Sequence, residues 1–416
     1  MLSEQINQFI YDKISINLCG FRKGYITQHA LIKLIEKWRN CLDKKGIVGA
    51  ILMDLSKAYD CLPIELLFGK LGAYGFGSNA LKLIHSYLSD RKQRVKIGSM
   101  FSTWEEVFRG VPQGSVLGPI LFNIFINDLL YFVVDTDICN FADDNTIYAC
   151  DYTIDKVIFR LENDLRIILN WFEDNSMVAN TKKFQFIILG HRGTKLLLSV
   201  DDKSILASDT VTLLGIIIDK DLKFNKHIDK ICVKAKSKIN ALYRISRKLT
   251  DKKKLKMLID SFFISIFEYC PIVWMSCSKK SANKIDKLHK RALRILHNKN
   301  HMPFSELLSI DGSQCIHVRN LQVLMTEVYK TINNLNPVFM KEIFHMKTNE
   351  YDLRNKTLIQ IPKVCTESFG YKSISFRGAM LWNMLPDKIK HAGDLQSFKN
   401  LIKQWDANTC NCNLCR

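Results

Sequence analysis

Ile138-Cys-Asn-Phe-Ala-Asp-Asp-Asn-Thr-Ile-Tyr148 is the stretch from which the rest of the chain is read. Two short β-prone runs flank a tight polar turn, the pattern of a hairpin. Adjacent carboxylates, Asp143 and Asp144, stand at its tip and repel one another unless a cation lies beside them. Alone, the pair reads as a turn, because Asp is common there for local reasons. A third carboxylate changes the balance. Asp54 closes the run Ile47-Val-Gly-Ala-Ile-Leu-Met-Asp-Leu55, whose continuous apolarity and β-branched start predict a strand buried on both faces. Carboxylates converging from neighbouring strands make a hard, oxygen-rich site suited to Mg2+. Two such ions clamp an in-line phosphoryl transfer.

Working outward, residues 1–47 read as helical, with Leu31, Leu34, Ile35, Trp38 and Leu42 at helical spacing and Lys44-Lys45-Gly46 as the stop. Arg91-Lys-Gln-Arg-Val-Lys-Ile97 alternates and predicts a strand with a cationic face, on which Arg91 and Arg94 are candidate phosphate contacts. Gly110-Val-Pro-Gln-Gly-Ser-Val-Leu-Gly-Pro119 is a Gly/Pro-rich loop, and Pro119 suits the first turn of a helix running to about Phe132. Gly114, lacking a Cβ, lets backbone approach a bound nucleic acid. Tyr59, on the turn leaving the first strand, is placed to abut the sugar of an incoming nucleotide. An amphipathic helix is expected over Ile154 to Asn175, then strands over Phe184 to Leu189 and Val211 to Ile218.

Near residue 220 the character changes. Residues 219–256 hold fourteen Lys/Arg against four Asp, and Ile228, Ile231, Ala235, Ile239, Leu242, Ile245 and Leu249 form a helical apolar stripe. Further basic helices are expected around 253–268 and 281–297. Across all 416 residues the formal charge is +19, a field that favours polyanions, nucleic acid first. The most apolar stretch, Pro119 to Val134, is broken by Asn123, Asn127 and Asp128, which argues against a membrane span. Thirteen mostly scattered cysteines suit reduced thiols in an intracellular setting, nucleus or cytoplasm. Cys410, Cys412 and Cys415 in the tail are one ligand short of a zinc set. A tail without metal is the first reading there, with zinc left open.

At this point four blocks stand in order: Gly20-Phe-Arg-Lys-Gly24, Met53-Asp-Leu-Ser-Lys-Ala-Tyr-Asp60, Gly110 to Pro119, and Phe141-Ala-Asp-Asp144. Together they resemble the successive blocks of reverse transcriptases of non-LTR, jockey-like retrotransposons. Asn180-Thr-Lys-Lys-Phe184 and Leu213-Leu-Gly-Ile216 resemble the two blocks that follow. The resemblance implies an α+β fold, a right-hand polymerase palm of antiparallel sheet with helices, followed by a helical basic thumb and a C-terminal region. It divides the chain into residual fingers and palm-entry helices (1–47), palm (48–219), thumb (220–300) and C-terminal region (301–416).

The activity it implies is RNA-directed DNA polymerisation: transfer of a nucleotide from a dNTP to a primer 3′-OH with two Mg2+ ions, or Mn2+. An RNA template, a DNA primer or target DNA, and dNTPs are the implied partners. Asp54, Asp143 and Asp144 would hold the metals, with the Leu55 carbonyl as a further ligand. Tyr59 would exclude a ribose 2′-OH, which argues against an RNA polymerase on the same palm. Gln113 and Gly114 would line the template and nucleotide pocket. Lys183 would act as general acid toward pyrophosphate, although Lys182 beside it and Phe184 after it depart from the usual block. Leu213 to Gly215 would sit at the primer grip. Such elements carry fingers strands ahead of the first block, and here nineteen residues precede it. The expectation is therefore an N-terminally truncated copy. The alternative is an inactive remnant that only binds nucleic acid.

Overall fold

In a computed structural model, residues 1–193, 196–347 and 358–405 are described. The tail cysteines lie outside them. The chain forms two compact units, one of residues 1–25 with 46–208, the other of residues 26–45 with the chain from 209 onward.

The first unit is built on a four-stranded antiparallel sheet. Its strands are β1 (Ile47–Met53), β2 (Asp137–Phe141), β3 (Asp144–Asp151) and β4 (Gln185–Leu189), in the order β2-β3-β1-β4. β1 lies between two neighbours and is buried along nearly its whole length, as its unbroken apolarity requires. The helix α1 (Ile154–Asp174) covers one face through Val157, Leu161, Leu165, Ile168 and Phe172. Its Asp164 is fully buried and accepts bonds from the amides of Val134, Asp135 and Thr136 and from Thr136 Oγ1 at 2.6–3.3 Å. A helix carboxylate thereby fixes the entry into β2.

The apolar stretch after Pro119 is a core helix, Gly118–Ile126, buried on all sides. It does not run on to Phe132; a separate turn, Leu129–Phe132, follows. Two asparagines of this stretch anchor the N-terminal segment. Asn123 Nδ2 donates to the Gly20 carbonyl at 2.8 Å. Asn127 Nδ2 donates to the Lys13 carbonyl and to Tyr74 Oη, and Asn127 Oδ1 accepts from the Ser15 amide. These buried amides bind the segment 13–20 to the core, so residues 1–47 are not continuous helix: Leu2–Ile10 and Thr27–Asp43 are helical and the chain between them is mostly irregular.

In the second unit, Val211 to Ile218 is not one strand. Thr210–Leu213 and Ile216–Asp219 pair as a hairpin, because Leu214 and Gly215 both take positive φ, 46° and 79°. Tyr269 Oη donates to the Leu214 carbonyl and holds the turn. The basic helices follow as Asn225–Ser246, Lys252–Ile259 and Lys279–His297, the first and last packed together.

The described residues beyond 300 are packed into the second unit. They close around Thr27–Asp43, which contributes His29, Glu36, Arg39 and Asp43. Glu36 accepts from the amides of Ile374 and Ser375 at 2.8 and 2.9 Å, capping the helix Ile374–Met384. Arg39 donates to the Lys372 carbonyl. His29 pairs with buried Glu327 at 3.0 Å. Burial works against the Glu327 charge, but bonds from His29 and Lys330 more than offset it and hold the carboxyl down at about 2. Among the described residues, no helix is long and apolar enough to cross a membrane.

Candidate active site

The sheet register brings the three carboxylates together. The β1–β3 ladder ends at Met53 opposite Asn145. One step further sets Asp54 level with Asp144 on adjacent strands, and opposed residues share a face. Across the hairpin, Asp144 pairs with Phe141, leaving a two-residue turn of Ala142 and Asp143 in which Ala142 has φ 58°. Asp144 is half-buried. Its carboxyl is pushed up to about 6, first by burial and then by the charges of Asp143 and Asp54. Burial leads, and two neighbouring anions add to it.

Lys183 reaches Asp54: its Nζ stands 3.2 Å from Asp54 Oδ2. After β1 the chain pairs with residues 178–180: the Asn180 amide donates to the Asp54 carbonyl and the Ser56 amide to the Val178 carbonyl. This pairing and the short helix Thr181–Lys183 carry Lys183 to the mouth of the carboxylate group. The Leu55 carbonyl takes no part in the pairing, whose bonds come from the flanking residues.

Tyr59 is fixed from two sides. Its ring stacks on Phe122 at 4.5 Å and meets the edge of Phe21 at 6.0 Å. Its hydroxyl is buried without a hydrogen-bond partner, and burial together with Asp143 holds its pKa well above the usual tyrosine range. Three of the sequence blocks thus meet at one ring.

The Gly/Pro loop is zipped to the turn that carries Tyr59. The Val111 amide donates to the Tyr59 carbonyl, the Gly110 amide to the Leu62 carbonyl, and Gln113 Nε2 to Asp60 Oδ1 at 2.8 Å. Gly110, which the sequence reading did not single out, makes the close approach. It has φ 79°, and a Cβ there would lie 2.6 Å from the Tyr59 carbonyl oxygen and 2.7 Å from Asp60 Cα. Gly114 also has φ 79° but faces open space. Gly110→Ala is expected to cost about 1–3 kcal/mol of stability, from strained backbone plus the clash. Chemical denaturation of the two proteins measures it, and an unchanged midpoint would remove Gly110 from this role.

Gly20 performs the equivalent service for the hairpin: a Cβ on it would sit 2.2 Å from the Ala142 nitrogen. The Cys19 amide donates to the Asn140 carbonyl and the Asn140 amide to the Asn17 carbonyl, so the residues leading into the first block lie along the outer edge of β2. The reason for a glycine at Gly20 is legible only once the hairpin tip lies against it.

Arg91 and Arg94 have other partners. Arg91 donates to the carbonyls of Leu88, Arg109 and Gly110, a staple at the base of a β-ribbon, and Arg94 lies on the ribbon itself.

The donor set fits a divalent cation. It is three hard carboxylates, one of them with its charge opposed by burial and then by the other two. Among the described residues no group of three or more His, Cys, Asp or Glu is arranged to hold a metal ion on its own. An open group is what Mg2+ accepts, since it keeps waters and substrate phosphates among its ligands.

The profile of the family described as Reverse transcriptase (RNA-dependent DNA polymerase) matches residues 1–218. The chain is 24% identical over 289 residues to the probable RNA-directed DNA polymerase from transposon BS of Drosophila melanogaster, covering 67% of this chain and 32% of that protein. It is 24% identical over 288 residues to the RNA-directed DNA polymerase from mobile element jockey of the same organism, covering 66% and 31%. The chain thus spans about a third of the length of the curated relatives it matches. Apo telomerase from Candida tropicalis aligns with a TM-score of 0.42 and 13% identity over 81% of this chain and 55% of that one, a likeness too loose to carry an argument.

Proposed function

Because this chain belongs to the reverse transcriptase family, we propose that it is the polymerase part of a non-LTR retrotransposon protein. On this reading it extends a DNA primer or nicked target DNA on an RNA template with dNTPs, inside the cell. The observation that carries the proposal is the meeting of Asp54, Asp143 and Asp144 at the end of β1 and β3, with Asp144 pushed up by burial and then by its two neighbours. The family normally uses divalent metal ions. Here Asp54, Asp143, Asp144 and the Leu55 carbonyl would hold Mg2+ or Mn2+. Such ions supply charge neutralisation on the triphosphate and acidify the primer hydroxyl.

The chain's own groups account for the rest. Lys183, exposed beside Asp54, is positioned to hold a proton and positive charge where pyrophosphate departs. The Gln113–Asp60 bond steadies the loop of Gln113 and Gly114 next to Tyr59, where template base and nucleotide would lie. Tyr59, clamped by Phe122 and Phe21, is a rigid wall against a 2′-OH. Residues 48–219 act as palm and the basic helices of 220–300 as thumb, holding duplex by its phosphates without reading sequence.

The test is extension of a DNA primer on an RNA template with Mg2+. Incorporation of dNTPs supports the proposal, and template binding without any extension refutes it in favour of an inactive remnant. Tyr59→Val should lower discrimination against ribonucleotides roughly tenfold or more while dNTP incorporation persists. Unchanged discrimination would remove Tyr59 from the sugar.

A further inference from the structure

Residues 92–106 fold into a narrow β-ribbon. Lys92–Gln93 pairs with Glu105–Glu106, and Lys96–Ile97 with Met100–Phe101. A ribbon this slight buries almost nothing of its own. Val95 is 63% exposed, Ile97 and Met100 76%, Phe101 49% and Trp104 58%. The chain has six tryptophans; the other five, Trp38, Trp171, Trp274, Trp382 and Trp405, are at most 7% exposed. The single tryptophan left to solvent thus stands on a ribbon that the core does not need.

Charge and geometry say what would cover it. The Arg94 guanidinium lies 3.9 Å from the Phe101 ring centroid and 4.4 Å from that of Trp104, and Lys96 Nζ is 5.1 Å from the Phe101 centroid. From Arg94 to Trp104 there is no acidic residue. Cations set against half-open aromatic faces match a strand of unpaired bases, whose rings stack while its phosphates meet the cations. A second copy of the chain is a poorer fit: the ribbon strands are two residues long and offer little edge for pairing, and two tips of like charge repel.

We propose that the ribbon of residues 94–104 is a stacking platform for single-stranded nucleic acid, with Trp104 and Phe101 taking bases and Arg94 and Lys96 taking the neighbouring phosphates. The identification of that strand as unpaired template rests on the polymerase reading; the contact itself needs neither metal nor dNTPs.

The experiment therefore uses the full chain in chelator without nucleotides, titrated with labelled, unstructured oligo-uridine and oligo-deoxythymidine. Anisotropy reads binding and tryptophan emission reads contact. The oligonucleotides should quench the red-shifted emission of the exposed indole, and Trp104→Leu should remove that quenched component. The double variant Phe101→Leu/Trp104→Leu should bind single strands roughly tenfold more weakly with duplex affinity unchanged and circular dichroism intact. Asp144→Asn should bind them as the unaltered chain does, which separates this contact from catalysis.

Absence of binding, binding with unmoved emission, or unchanged single-strand affinity in the double variant would each overturn the proposal. So would self-association in sedimentation that Trp104→Leu abolishes while single-strand affinity is unchanged, because the ribbon would then belong to a second copy.

Discussion

Asp144→Asn should abolish primer extension, by a factor on the order of 10³ or more, and should slightly raise the melting temperature of the metal-free protein. Both effects come from one electrostatic arrangement. In the fold the Asp144 carboxyl rises from 3.8 to about 6, through burial and the adjacent Asp143 and Asp54. Between those values the folded protein holds more protons than the unfolded chain. Stability therefore falls as pH rises through that window, and at neutral pH the ionised carboxylate opposes folding. Asparagine keeps the shape and removes the charge. Asp144 is partly solvated, so the gain is small, about 1–3 °C.

Added Mg2+ should reverse the order. A cation bound to the native carboxylates stabilises the unaltered chain by mass action and does much less for the variant. Thermal scans with and without Mg2+, run beside extension assays, check both halves. Extension within tenfold of the unaltered protein, or equal Mg2+ stabilisation of both, would detach Asp144 from the metal role.

The second large effect lies away from the carboxylates. Asp43→Ala is expected to cost about 3 kcal/mol or more, seen as a lower denaturant midpoint. Asp43 ends the helix Thr27–Asp43, and its carboxylate accepts from the Cys365 amide at 3.0 and 3.1 Å. It also accepts from the Thr366 amide and Thr366 Oγ1, both at 2.7 Å. Gly370 packs so closely that a Cβ there would lie 2.3 Å from Asp43 Oδ1. Truncation to Ala strands these donors around a small void. Asp43→Asn, which keeps an acceptor oxygen, should lose distinctly less. A loss below about 1 kcal/mol in Asp43→Ala, the level of an ordinary exposed substitution, would show that the contact contributes little.

The placement of Asp54, Asp143 and Asp144 at strand ends was legible in the sequence, and the reason is local. A buried strand ending in Asp54 and a hairpin tipped by Asp143 and Asp144 are both written in short-range patterns: an unbroken apolar run, and β-prone runs around a polar turn. Once both are strands, antiparallel pairing brings Asp54 and Asp144 to one face, and the two-residue turn leaves Asp143 beside them. The long amphipathic helices are legible for the same reason, since the 3.6-residue period of Ile154–Asp174 or Asn225–Ser246 is carried by each helix alone.

What periodicity cannot carry is the identity of the partner. A stripe of Leu31, Leu34, Ile35 and Trp38 announces a buried face, but not that residues from Lys372 to Ser375 meet the helix that bears it. Asp43 and Thr366 lie 323 positions apart, and no local signal spans that distance. The same holds for the asparagines of the apolar core helix, which read as interruptions and serve as anchors for residues 13–20. It holds for the loop glycines as well: sequence draws attention to Gly114, whereas the backbone packed against Tyr59 and Asp60 demands Gly110. The sequence by itself determined the strands of the first sheet, the long amphipathic helices and the positions of the three acids. The tertiary structure decided which side chains meet, because desolvation and hydrogen-bond satisfaction depend on neighbours that only the folded chain supplies.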